Sequence, residues 1–221
     1  MNFPDDYSNY IPIEGMNWLR QYHITMSELK AHKIGWSPSR KLVIFPIYDG
    51  EGRLIAWQGR NFAIEEEPVA HDDPTATRAQ REKGKRYVSP KKKYLTFGNI
   101  SDIMHVIEPE SSTIPDTLVV VEGVLDAIKV GRIAPAMPLF GSHMALGTII
   151  RASRRFSRLA VWLDSDKVQK AVETAIRASQ YMPATVVYTP GDPKEYTENG
   201  AMQFIERALK EPVPQEGANN T

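Results

Sequence analysis

Thr117-Leu118-Val119-Val120-Val121-Glu122-Gly123-Val124-Leu125-Asp126-Ala127 runs from an unbroken apolar and β-branched stretch into an acid, a glycine and a helix-like segment. A strand that is apolar throughout, rather than alternating, is buried on both faces, as in a parallel sheet covered by helices. The pattern recurs downstream. Leu159-Ala160-Val161-Trp162-Leu163 ends in Asp164-Ser165-Asp166 and leads into an amphipathic helix over 168–181. Residues 184–188 form another strand, which passes through Thr189-Pro190-Gly191 to Asp192 and a final helix over 201–209. A strand over 136–140 and a helix over 145–156 complete the alternation. The fold class is therefore α/β, a mainly parallel sheet flanked by helices over residues 116–210.

In an open parallel sheet, ligands gather where the strands end at their carboxyl edge. Glu122, the pair Asp164 and Asp166, and Asp192 all fall there, and Asp126 stands one helical turn beyond Glu122. Each acid alone is explained by the favourable field of a helix N-terminus. Together, converging carboxylates repel one another unless a cation sits among them. Mg²⁺ or Mn²⁺, which take oxygen ligands and keep places for phosphate oxygens, suit such a set. The pattern points to metal-assisted phosphate chemistry. Gly123 reads as the residue that lets the backbone turn tightly from strand to helix.

Upstream, a smaller α+β basic subdomain is expected over residues 1–108. Helices are expected over 16–22 and 27–32, the second with Thr25 as N-cap and Glu28 completing a capping box. Strands over 41–48 and 53–61 flank Asp49-Gly50-Glu51-Gly52, a hairpin signal. Residues 64–93 read as an exposed charged loop. Its first part is acidic; its second carries Arg78, Arg81, Lys83, Lys85, Arg86, Lys91, Lys92 and Lys93 against the single acid Glu82. Residues 108–115 read as a linker, and 211–221 as a flexible tail.

Composition narrows the function classes. Lys+Arg and Asp+Glu number 27 each, so the formal net charge is zero and the molecule as a whole has no pull on a polyanion. Cysteine is absent, which excludes disulfides, Cys-ligated zinc, thiol catalysis and iron–sulfur clusters from these 221 residues. The histidines show no ligand spacing. The first residues resemble no signal peptide. The longest apolar runs are far short of the ~20 residues of a membrane helix. A cytoplasmic protein without membrane contact is expected.

Residues 119–127 together with Leu163-Asp164-Ser165-Asp166 resemble the TOPRIM domain shared by topoisomerases and bacterial-type primases, whose signature is Glu-Gly after one strand and Asp-x-Asp after a later one. Thr189-Pro190-Gly191-Asp192-Pro193-Lys194-Glu195-Tyr196 is similar to the Asp-Pro segment that follows in primases. Val43-Ile44-Phe45-Pro46-Ile47-Tyr48-Asp49, Gly52–Arg60 and Lys85-Arg86-Tyr87-Val88-Ser89-Pro90 resemble the stretches that precede TOPRIM in DnaG-type primases, most of all the compact phage versions. The resemblance implies synthesis of short RNA primers on a single-stranded DNA template from ribonucleoside triphosphates, during DNA replication. It makes Glu122 a general acid/base or metal ligand and Asp164 and Asp166 Mg²⁺ ligands. Asp126 and Asp192 match positions that hold a second ion. Arg53, Arg60, Lys85, Arg86, Lys91, Lys92 and Lys93 fall in the stretches that bind template or nucleotide phosphates.

Two departures accompany the resemblance. Lys167-Val168 stands where the family has a small Ala-Gly step, and Lys194 replaces the second acid of the Asp-Pro segment. With no cysteine, the family's zinc module is expected to come from a separate template-recognition protein, and a replicative helicase from another partner. Trp36, Trp57 and Tyr87 are candidates for base stacking, and apolar packing is the alternative for Trp57. Arg151, Arg154, Arg155 and Arg158 are either a solvated helix face or a second phosphate contact. Two other functions use the same features: a TOPRIM-type metal-dependent nuclease, and a non-catalytic single-stranded DNA-binding replication factor.

Overall fold

The computed structural model describes residues 1–63, 66–68, 70–72, 74, 78–83, 85–87, 92–100, 103–141 and 143–210. They divide into two units, Met1–Ile47 with Leu54–Gly98, and Tyr48–Arg53 with Asn99–Thr221.

The first unit opens with α1 (Ile13–Gln21) and α2 (Met26–Ala31). Thr25 caps α2 through a full capping box: its hydroxyl accepts the Glu28 N–H at 3.2 Å, and the Glu28 carboxylate accepts the Thr25 N–H at 2.7 Å. Strands β1 (Gly35–Ser37), β2 (Leu42–Tyr48) and β3 (Leu54–Asn61) follow. The expected hairpin is thus present, with Asp49 accepting from the backbone of Glu51 and Arg53 at 2.9 Å each to pin the turn. Next come β4 (Glu66–Pro68), α3 (Arg78–Lys83), β5 (Lys85–Tyr87) and β6 (Tyr94–Gly98). One sheet runs β1-β2-β3-β6, and β4 and β5 pair as a separate antiparallel ribbon.

The stretch read as a loop over 64–93 therefore carries a helical turn and a ribbon. Arg78 and Glu82 form an i,i+4 pair at 2.8 Å that supports α3 despite its polarity. Trp36 and Trp57, candidates for base stacking, are buried instead, at 5% and 3% exposure. Trp57 stacks on Phe97 of β6 with ring centroids 4.0 Å apart, so β6, which no periodicity announced, uses that ring for its own packing. The Tyr87 ring lies outside the described residues.

The second unit alternates β7 (Thr117–Val121), α4 (Val124–Val130), β8 (Ala136–Pro138), α5 (Leu146–Arg155), β9 (Arg158–Trp162), α6 (Val168–Ser179), β10 (Ala184–Val186) and α7 (Glu198–Lys210). The sheet order is β10-β9-β7-β8, parallel throughout. The α/β class and its helix-flanked parallel sheet are as the sequence implies. Leu118, Val120, Leu159 and Val161 face α5 and α6 in one apolar cluster with Ile149, Ala152, Ala171, Ala175 and Ala178. The alternate residues of β7 and β9 face the other way, towards α4 and α7, which pack together there.

Register decides where the strands stop. Val121 is level with Trp162 and Pro138, and Val186 with Val161. The residues just after β7 and β9 therefore leave the sheet at one height. Trp162 secures this edge. It is fully buried, donates its indole N–H to the Thr189 hydroxyl at 2.7 Å, and lies against Tyr196 and Phe204. Trp162→Ala is expected to lower the free energy of unfolding by about 3–5 kcal/mol, measured by urea denaturation. A change inside the error of that measurement would contradict the packing described.

Candidate active site

Glu122 leaves the end of β7, and Gly123 caps α4 with φ −113° and ψ 162°. That geometry is open to any residue, so the tight-turn explanation for Gly123 is corrected. What the missing side chain leaves is room for a carboxylate: a Cβ there would stand 2.9 Å from Asp126 Oδ2 and push that tip aside. Asp126, in the first turn of α4, is 4% exposed. Asp164 follows β9 in an extended conformation and opens a single 3-10 turn, Ser165–Lys167, that runs into α6. Asp166 sits inside that turn and is exposed. Asp192 precedes a second 3-10 turn, Pro193–Glu195.

The segment carrying Asp192 is held by a short network. The Thr189 hydroxyl donates to the Gly191 carbonyl at 2.8 Å, and the Gly191 N–H donates to the Tyr196 hydroxyl at 2.9 Å. Thr189 is also the residue that Trp162 holds. The apolar edge of the sheet thus positions Asp192, three residues further along the same loop.

Sequence reasoning placed the acids but missed their partners. Lys167 Nζ is bonded to Glu122 Oε1. Lys194 Nζ lies 2.6 Å from Asp192 Oδ2 and 3.3 Å from Asp126 Oδ1, and the Lys194 backbone N–H reaches the same Asp126 oxygen at 3.1 Å. The expectation that an external cation alone could relieve the repulsion is therefore corrected, because two ammonium groups stand among the carboxylates. The available signal was the pair of departures itself, a lysine beside each acidic cluster.

The electrostatics follow from burial. Asp164 is pushed up to about 7, first by burial and then by the neighbouring Asp126, Asp192 and Glu122 carboxylates, against the pull of Lys194. Burial also pushes Asp126 up, and Lys194 opposes it. For Lys194 itself burial disfavours the charge, but the Asp126 and Asp192 carboxylates outweigh it and hold the ammonium above its ordinary value. Lys167 is likewise raised, its burial outweighed by the bond to Glu122.

Among the described residues, no three carboxylates stand close enough together to hold a metal ion as they are. Two oxygens are nonetheless incomplete: Glu122 Oε2 and Asp164 Oδ1 are buried without a hydrogen-bond partner. Buried polar atoms are seldom left so, and both are oxygens of the type a hard cation takes, whereas Asp126 and Asp192 already share an ammonium.

The basic residues are placed unevenly. Arg53 is exposed and pairs with Asp49 and Glu51 at 2.7 and 2.8 Å. Arg60 is buried, its guanidinium within 5.9 Å of the Trp18, Phe62 and Tyr94 ring centroids, and its Nε and Nη1 have no partner. Lys92 and Lys93 are exposed. Lys85 and Arg86 lie in β5 but their side chains, like all of Lys91, are outside the described residues, as is the tail read over 211–221. Arg155 pairs with Glu108, and Arg158 with Asp116 at 3.3 Å. A cavity of about 260 Å³ between Arg158, Pro183, Ala184 and Lys210 lies at the amino ends of β9 and β10, away from the acids.

The Asp164 carboxyl sets a pH dependence. It titrates near ~4 when unfolded and at about 7 in the fold, so the folded state binds the proton more tightly. Its contribution to stability is complete below about pH 4 and is lost as pH rises through about 7. In a chelating buffer, Asp164→Asn is expected to match the wild-type melting temperature near pH 4 and to exceed it by a margin that grows to a plateau above about pH 7. A margin independent of pH would contradict this electrostatic account.

No protein-family model and no curated protein sequence matches the chain. Solved structures do match. The Aquifex aeolicus primase structure comprising zinc-binding and RNA polymerase domains aligns with a TM-score of 0.60 at 17% identity, over 90% of this chain and 56% of that one. A DnaG catalytic core aligns with a TM-score of 0.61 at 17% identity, over 91% and 73%. A chain from the bacteriophage T7 assembly of lagging-strand DNA polymerase with primase domains bound to an RNA/DNA hybrid and dTTP aligns with a TM-score of 0.52 at 17% identity, over 89% and 92%. This chain thus spans a little over half of the Aquifex structure, and no helix among its described residues is long and apolar enough to cross a membrane. Its fold is that of the catalytic cores of DnaG-type primases.

Proposed function

We propose that this chain is the polymerising core of a primase, joining ribonucleotides on a single-stranded DNA template. One observation carries the reading: on a fold shared with primase cores, Glu122 Oε2 and Asp164 Oδ1 are left buried and unpartnered at the carboxyl edge. Glu122 and Asp164 would hold Mg²⁺ or Mn²⁺, with Asp166 at the exposed rim. When bound, such an ion supplies positive charge where a triphosphate's negative charge develops.

The chain's own groups do the rest. Glu122 would serve through Oε2 either as a ligand of that ion or as the base for the attacking 3′-hydroxyl, and its bond to Lys167 through Oε1 fixes its orientation for either role. Lys194 orients Asp126 and Asp192 and holds the segment after β10 against α4. Arg53, Arg60, Lys85, Arg86, Lys91, Lys92 and Lys93 bind template or nucleotide phosphates; Arg60 supports this with two unpaired donors, because a buried guanidinium without an acceptor favours an arriving anion. Template-site recognition and a helicase lie outside these 221 residues in this reading, which is set in the cytoplasm of the replicating cell.

A second reading has an observation of its own. Because Lys167 and Lys194 neutralise much of the acidic set, the chain would also suit a role as a non-catalytic single-stranded DNA-binding replication factor. One assay separates the two. Single-stranded DNA, labelled ribonucleotides and Mg²⁺ or Mn²⁺ are expected to give short RNA, reduced about a hundredfold or more in Glu122→Ala and in Asp164→Ala. Shortened DNA without ribonucleotides would indicate a nuclease, and DNA binding without product, unaffected by either substitution, the accessory factor.

A further inference from the structure

Asp126 and Asp192 come from different elements, α4 and the segment after β10, and meet at a single atom. The Lys194 Nζ stands 3.3 Å from Asp126 Oδ1 and 2.6 Å from Asp192 Oδ2. Since the Lys194 backbone N–H also bonds Asp126 Oδ1 at 3.1 Å, the residue is tied to that carboxylate at both ends. The Lys194 side chain is 15% exposed and that of Asp126 5%, so the ammonium is enclosed rather than draped over a surface. Oxygens of two carboxylates directed at one point are the ligand type that hard divalent cations take. Here the point is held by the chain's own nitrogen.

The neighbouring pair is built differently. Lys167 engages only one oxygen of Glu122, and Glu122 Oε2, with Asp164 Oδ1, remains buried and unpartnered. One half of the acidic edge is thus complete and the other is open. We propose that Lys194 is a resident cation: its ammonium fills a subsite between Asp126 and Asp192 that would otherwise draw a divalent ion, and so limits the chain to one exchangeable ion, at Glu122 and Asp164.

A tethered ammonium supplies compact positive charge, as an ion would, but chelators do not remove it. It has three N–H donors. Two serve the carboxylates, and the third is left for an anionic oxygen of a nucleotide substrate. A divalent ion entering the same subsite would stand beside a like charge in a partly desolvated place, where repulsion is weakly screened.

The ion count rests on the proposed ion at Glu122 and Asp164, and the two ideas fail separately. Mn²⁺ binding is counted by equilibrium dialysis and by the electron paramagnetic resonance of the free ion, for the wild type, Lys194→Arg and Lys194→Gln. The expected result is one ion for the wild type, one for Lys194→Arg, which keeps a cation, and two for Lys194→Gln. No ion in the wild type but one in Lys194→Gln would keep the resident cation and remove the ion at Glu122 and Asp164. Two ions in the wild type, or equal counts for the wild type and Lys194→Gln, would overturn the proposal. Should Lys194→Gln be unfolded without metal, a melting transition restored by saturating Mn²⁺ supports the subsite, and failure to restore it overturns the proposal.

Discussion

A carboxylate enclosed in a protein must be accompanied by positive charge or by hydrogen bonds, since desolvation otherwise makes its ionised form untenable. Asp126 imposes this condition here. It lies in the first turn of α4, is almost fully enclosed, and is answered by a lysine 68 residues further along the chain. That lysine can reach it only if the segment after β10 folds back onto α4. The fold-back in turn depends on the Trp162–Thr189 bond and on the packing of Tyr196 against Trp162 and Phe204. Parallel register, aromatic packing and buried charge are therefore parts of one arrangement, with the acids of separate strands held around it.

Much of this was legible in the sequence because it is local. The unbroken run before Glu122 could only be a doubly covered strand, and α4 occupies the residues its apolar pattern marks, Val124–Val130. The capping box of α2 was equally plain, since both partners lie within one helical turn. The acids at the ends of β7 and β9 and beyond β10 were legible for the same reason, as an acid after an apolar run marks a strand end. What escaped was non-local. Strand β6 follows a basic run and alternates weakly, and only its pairing with β3 and the stacking of Phe97 on Trp57 make it a strand. Lys167 and Lys194 stood out as departures from the resembled pattern, but their role depends on where a loop brings a flexible side chain.

The balance of 27 bases and 27 acids takes on a more specific meaning in this light. At the carboxyl edge two lysines answer three of the acids, Lys167 on Glu122 and Lys194 between Asp126 and Asp192. A tally of carboxylates therefore overstates how strongly this edge attracts cations. The unmatched positions are the informative ones: the free oxygens of Glu122 and Asp164, and in the other unit the unpaired donors of Arg60.

Gly123 carries a consequence for how this sequence can change over time. Because its absent side chain leaves the room that Asp126 Oδ2 occupies, 2.9 Å from a would-be Cβ, positions 123 and 126 are not independent. A lineage that acquires a side chain at 123 displaces the tip of the carboxylate at 126 and so loosens one of the two acids on the ammonium at 194, which keeps Asp192 at 2.6 Å; one that loses the acid first frees the glycine to drift. The Glu-Gly pair is then half of a three-position unit, and its history should be followed at 123, 126 and 194 together.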